Sequence, residues 1–96
     1  MDVFPQTSTI AQISQCVKVK LPAVKRKVTL RCVFICQNSG DKGARCQAVM
    51  QIVKMICRKL HDVETIDISK AVKRLMSVVN NVQVCLDVIV ALLLLV

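Results

Sequence analysis

The sequence predicts an α+β fold in a single small domain: an N-terminal β-hairpin, two consecutive amphipathic helices, and a C-terminal apolar strand or helix. Three observations predict it. Residues 16–36 alternate apolar and polar side chains at period two, the pattern of half-buried strands. Residues 44–61 and 67–79 repeat apolar side chains at helical spacing. A chain of 96 residues, 54% of them hydrophobic, has material for one core and no second domain.

Residues 1–15, with Pro5 and a Gln/Thr/Ser run, read as an arm or a short lead-in; residues 16–96 form the domain. Within 16–36, Val17, Val19 and Leu21 alternate with Lys18 and Lys20. After Pro22, one face of the second strand collects Val28, Leu30, Cys32, Phe34 and Cys36, and the other Lys27, Thr29, Arg31, Val33 and Ile35. β-Branched residues favour this pleated reading. Residues 37–43, with both glycines, form the one clear loop. In the helix over 44–61, Cys46, Val49, Met50, Val53, Cys57 and Leu60 share a face. Ala48, Ile52 and Met55 widen it, so this helix is expected to be covered on more than one side. Gln47, Gln51, Lys54, Arg58 and His61 form its polar stripe. Arg58, Lys59 and His61 suit a helix C-terminus, and Glu64 and Asp67 an N-terminus, with Asp67 as the N-cap. In the helix over 67–79, Ile68, Val72, Leu75, Met76 and Val79 face inward, and Asn80–Asn81 end it by tolerating a left-handed turn. Residues 82–96 alternate at first, as a strand would, then run into Ala91–Val96, which has better helix propensity.

The composition speaks against an enzyme. There is one histidine, there are two glycines and six scattered carboxylates, and neither a P-loop nor a nucleophile elbow exists. No catalytic residue, cofactor or small-molecule substrate is expected. The six cysteines lack a signal peptide ahead of them, and Cys32 and Cys36 in a strand would stand about 13 Å apart, too far to bridge. No C-x-x-C pair supports zinc, so no metal site is expected. The thiols read as small buried hydrophobes in a reducing compartment.

Charge carries the functional expectation. Residues 16–60 hold eleven of the fourteen basic side chains and one acid, a net +10, while 1–15 and 61–96 each net −1. A basic ribbon bearing Lys18, Lys20, Lys25, Arg26, Lys27 and Arg31, extended by Arg45, Lys54 and Arg58, would bind nucleic acid or another polyanion through its phosphates. With no Trp or Tyr, recognition would be of backbone and shape rather than by base stacking. Leu21–Val28 resembles a short monopartite nuclear-localisation signal, which implies import; the protein is expected inside the cell, in cytoplasm and nucleus. Leu92, Leu93, Leu94 and Leu95 need a cover, as a core strand, a buried helix or the interface of a homo-oligomer. Fifteen residues from Val82 are short of the roughly 20 a membrane span requires. A peripheral membrane-associated accessory protein that inserts this segment is the alternative, and a protein–protein adaptor using an apolar helix face is the second. The small, basic, nearly aromatic-free profile is that expected of an accessory protein, of viral origin for instance.

Overall fold

In the structure, a computed structural model that describes residues 5–57, 62–78 and 81–96, every element is a helix: α1 (Pro5–Lys20), α2 (Ala23–Asn38), α3 (Lys42–Cys57), α4 (Asp62–Val78) and α5 (Val82–Leu94). The hairpin expected over 16–36 is absent; its two arms are the end of α1 and the whole of α2. The α+β class is therefore corrected to all-α.

Burial explains the correction. The inward residues are Ile13 and Val17 of α1 and Leu21 just after it, one turn apart each time, with Ile10 partly covered. This stripe begins in residues set aside as an arm, and Val19, an inward partner in the strand reading, is exposed. In α2 both readings share Val28, Cys32 and Cys36; the deciding residues are the others. Thr29 and Val33 are buried, whereas Leu30 is 48% and Phe34 64% exposed, an i, i+3, i+4 pattern rather than alternation. The β-branched residues do not prevent this, because their helix-propensity cost is only some tenths of a kcal/mol each against about 1.5–3 kcal/mol for burying one aliphatic side chain.

Punctuation follows local chemistry. Pro5 stands at the first position of α1, where its missing N–H costs nothing. Pro22, at φ −71°, separates α1 from α2, its carbonyl accepting the first helical bond from the Arg26 N–H at 2.9 Å. The α2–α3 loop shrinks to residues 39–41. Asp41 caps α3 by accepting from the Gly43 N–H at 3.1 Å, while the Asp41 N–H donates to Ser39 Oγ at 3.1 Å. Asp67 is not an N-cap, since α4 starts at Asp62 and Asp67 lies in its second turn. The helix expected from 44 to 61 is described from Lys42 to Cys57; Arg58, Lys59, Leu60 and His61, and the Asn80 of the expected stop, lie outside the described residues. Asn81 does not close α4 in a left-handed turn. It sits at φ −144° and caps α5, its Oδ1 accepting from the N–H groups of Gln83 (2.8 Å) and Val84 (3.3 Å).

The ambiguity over residues 82–96 resolves to helix. α5 is the most apolar element, and Cys85, Leu86, Ile89, Val90, Leu92 and Leu93 are buried along it. It packs between α1 and α3, and also touches α2; α3 packs in turn on α2 and α4. The wide apolar surface of α3 is thus covered on several sides, as its sequence requires, with Val49, Ile52, Val53 and Ile56 fully enclosed. Polar ties fasten the α1–α5 seam: Gln83 Nε2 donates to Thr9 Oγ1 at 2.7 Å, and Lys20 Nζ to the Leu93 carbonyl at 3.3 Å. The radius of gyration is 12.8 Å, against about 12.5 Å for a compact domain of this length.

Candidate nucleic-acid interface

The turn between α1 and α2 concentrates positive charge. Lys18, Lys20, Lys25, Arg26 and Lys27 fall within ten residues that contain no acid. The two lysines of α1 stand in its last turn, where the helix dipole favours cations. Those of α2 open a helix whose first turn contains no acidic residue, and there the dipole presents its own positive end. Local helix electrostatics would place Asp or Glu at such a start, so this cluster strengthens a positive field instead of neutralising it.

Two turns on, Arg31 follows Lys27 by four residues, and both are exposed on the outer side of α2. Between α2 and α3 runs an open groove of about 450 Å³, walled by Lys25 and Arg31 on one side and Gln51 and Lys54 on the other, over a floor that includes Val28 and Met55. A second hollow of about 280 Å³ continues it past Arg31 and Gln51 toward Ile35, Ala44 and Gln47. Cations on both walls of a low-dielectric cleft focus the field there. No hydrogen bond ties the Lys25, Lys27, Arg31 or Lys54 side chain to another described residue. The arrangement can hold anionic oxygens; it offers no nucleophile beside a base.

Not every predicted cation joins this face. Arg26 is exposed, but its Nε donates to the Leu21 carbonyl at 2.6 Å and secures the α1–α2 turn. Lys20 is half-buried and spends a proton on the end of α5. Arg45 is 6% exposed. Its guanidinium donates to the Ser39 carbonyl and its charge lies near the Cys85 thiol, so it secures the α2–α3 loop rather than facing a partner. Arg58 lies outside the described residues. Lys18, Lys25, Lys27, Arg31 and Lys54 remain as the outward set.

The strand reading hid two residues of this face. Leu30 and Phe34, placed there on the same strand face as Cys32, are one turn apart on the outside of α2, beside Lys27 and Arg31. Helical spacing of 27, 30, 31 and 34 is the signal that would have found them.

Arg45 approaches a knot of thiols. Cys36 and Cys85 are fully enclosed and lie near each other between α2 and α5. Burial pushes the Cys36 thiol up to about 12, helped by Cys85 and Cys32 and opposed by the Arg45 charge. Burial also raises Cys85 and Cys32, against Arg45 and Arg31 respectively. These thiols are therefore neutral at physiological pH and pack as small hydrophobes. The strand-based 13 Å separation of Cys32 and Cys36 does not apply, as one helical turn separates them; yet Cys16, Cys32, Cys36, Cys46 and Cys85 are all free. Among the described residues no group of histidines, cysteines or carboxylates is placed to hold a metal ion.

The leucine run divides between two environments. Leu92 and Leu93 are core residues, while Leu94 is 57% and Leu95 51% exposed. Among the described residues no helix is long and apolar enough to cross a membrane. No known protein family, curated protein or solved structure matches the chain.

Proposed function

We propose that the protein is a non-enzymatic accessory protein that binds nucleic acid through the phosphate backbone, with the outer side of α2 and the α2–α3 groove as its contact face. The reading rests on one observation above others: Lys25, Arg31 and Lys54 converge on a single groove beside a cluster of cations at the α1–α2 turn. Lys18 and Lys27 widen the field. Placing cations at the start of a helix costs stability, and a phosphate partner would offset that cost. A helical face replaces the basic ribbon as the element that meets the backbone. Sequence-independent affinity by counterion release follows from such a face.

The test is a salt-resolved titration of the full chain against labelled duplex and single-stranded RNA and DNA. Affinity is expected to fall steeply as salt rises. Lys25→Glu, Lys27→Glu and Arg31→Glu together should abolish binding. Lys54→Ala alone should flatten the log–log salt slope by about one. Binding that ignores salt, or no binding to any nucleic acid, overturns the reading.

A further inference from the structure

α4 and α5 follow each other in the chain and both pack on α3, yet their backbones do not approach one another closely. The notch left between them is about 280 Å³ and is lined without a single polar side chain, by residues that include Ala71 and Leu75 of α4 and Val88, Ala91 and Leu95 of α5. It is open, and smaller than the roughly 300–1,000 Å³ of small-molecule pockets, so it suits a few inserted side chains. Leu94 and Val78, both exposed, extend the apolar surface at its ends.

Charges of both signs flank it: Asp67 and Arg74 on α4 and Asp87 on α5. Arg74 follows Ala71 by three residues and Asp87 precedes Ala91 by four, so each stands beside the lining of its own helix. Both are exposed. Gln83 Nε2 holds Asp87 Oδ1 at 2.8 Å, and among the described residues neither Arg74 nor Asp87 forms an ion pair. The notch is lined by residues of the segment 61–96, whose net charge is −1, while Lys42 and Lys20 of the basic segment reach the ends of α4 and α5.

We propose that this notch is a self-association face that seats a second copy of the chain about a two-fold axis running along it. Such an axis lays α4 of one protomer over α5 of the other. Leu94 and Leu95 then fill the opposite notch, and Arg74 meets Asp87 of the partner subunit, twice by symmetry. Two copies of a +8 chain approach with least repulsion through their near-neutral segments, and the cationic faces point outward. An anionic membrane is the poorer occupant, because it gains about 1 kcal/mol per nearby cation, and this segment has acids to match its cations.

Sedimentation equilibrium of the full chain at physiological salt should find a dimer. Arg74→Asp and Asp87→Arg should each weaken it by about tenfold or more, and the double variant, with the charges exchanged, should regain most of the loss. Leu95→Glu should yield a monomer whose circular dichroism remains that of the parent. A chain that is monomeric throughout overturns the proposal. So does a dimer indifferent to these changes, or an exchanged pair that recovers nothing. Vesicles of phosphatidylcholine with phosphatidylserine supply the remaining arm: binding by a monomeric chain that Leu95→Glu abolishes assigns the notch to lipid and likewise overturns it.

Discussion

Two clefts flank α3, and they differ in almost every respect. The α2–α3 groove lies between helices in close contact; it is walled by Lys25, Arg31, Gln51 and Lys54. The α4–α5 notch lies between helices whose backbones stay apart, and its lining is aliphatic. The first is polar at its walls because the neighbouring core residues, Thr29 and Cys32 on α2 and Ile52 and Ile56 on α3, already satisfy both helices' need for burial. The second is apolar because α4 and α5 present more aliphatic surface than their contacts with α3 consume. A small all-α domain thus separates charge from uncovered apolar surface by leaving different helix pairs differently packed. Changes that alter one cleft and spare the other test whether the separation is real.

The largest contrast lies inside the leucine run. Leu93 is fully enclosed and Leu94 is not, although their chemistry is identical and they are adjacent. In the monomeric Leu95→Glu background, Leu93→Ala should cost about 2–5 kcal/mol, the range for a buried leucine, whereas Leu94→Ala should stay within about 0.5 kcal/mol. Urea denaturation of the two variants measures the difference. Equal losses would mean that the run is covered uniformly, and the α4–α5 notch would not exist as described.

That contrast also shows what the sequence could and could not convey. Helices α3 and α4 were legible because Val49, Val53, Val72 and Met76 recur at helical spacing with cations between them. The capping of α3 by Asp41 was hidden only by a loop drawn too long. α1 and α2 were misread because Val17–Leu21 and Val28–Cys36 satisfy both periods over short windows. Resolution needed Ile13, from outside the window, and the tertiary fact that Thr29 and Val33 are inside while Leu30 and Phe34 are not. The cations of the candidate face were legible as residues. Their grouping was not, since Arg45 and Lys54 both belong to α3 and only packing sends the first inward and the second outward.

A smaller effect distinguishes the core beneath the α2–α5 contact from either cleft. Cys36 is held up to about 12 in the folded chain against an ordinary 9.0. In the unfolded chain the thiol ionises from about pH 9, so above that pH the unfolded state binds fewer protons and stability falls. The contribution is complete below pH 9 and is lost progressively between about pH 9 and 12. The slope is about 1.4 kcal/mol per pH unit for this thiol, and Cys32 and Cys85 act in the same direction. Thermal unfolding followed from pH 7 to 10 should show a level stretch and then a decline. The comparison that isolates this thiol is with Cys36→Ala, whose decline should be shallower. An identical slope in the variant would show that Cys36 does not titrate on unfolding.

The smallest effect tests why the cationic groove is placed at the start of a helix. Lys25 and Arg26 open α2 at the positive end of its dipole, and Lys27 stands one turn from Arg31, a like-charge neighbour. Each arrangement opposes folding: the dipole by about 0.3–1 kcal/mol per charge and the i, i+4 pair by about 0.2–0.5 kcal/mol. Lys27→Glu turns the like-charge pair into an ion pair and should raise stability by about 0.4–1 kcal/mol at low ionic strength, with the gain shrinking as salt screens it. The same substitution should weaken nucleic-acid binding. Denaturation midpoints and anisotropy titrations on one preparation therefore move in opposite directions if the charge is kept for a partner. Should both fall together, Lys27 supports the fold, and the reason for a cationic helix start must be sought in packing rather than in phosphate.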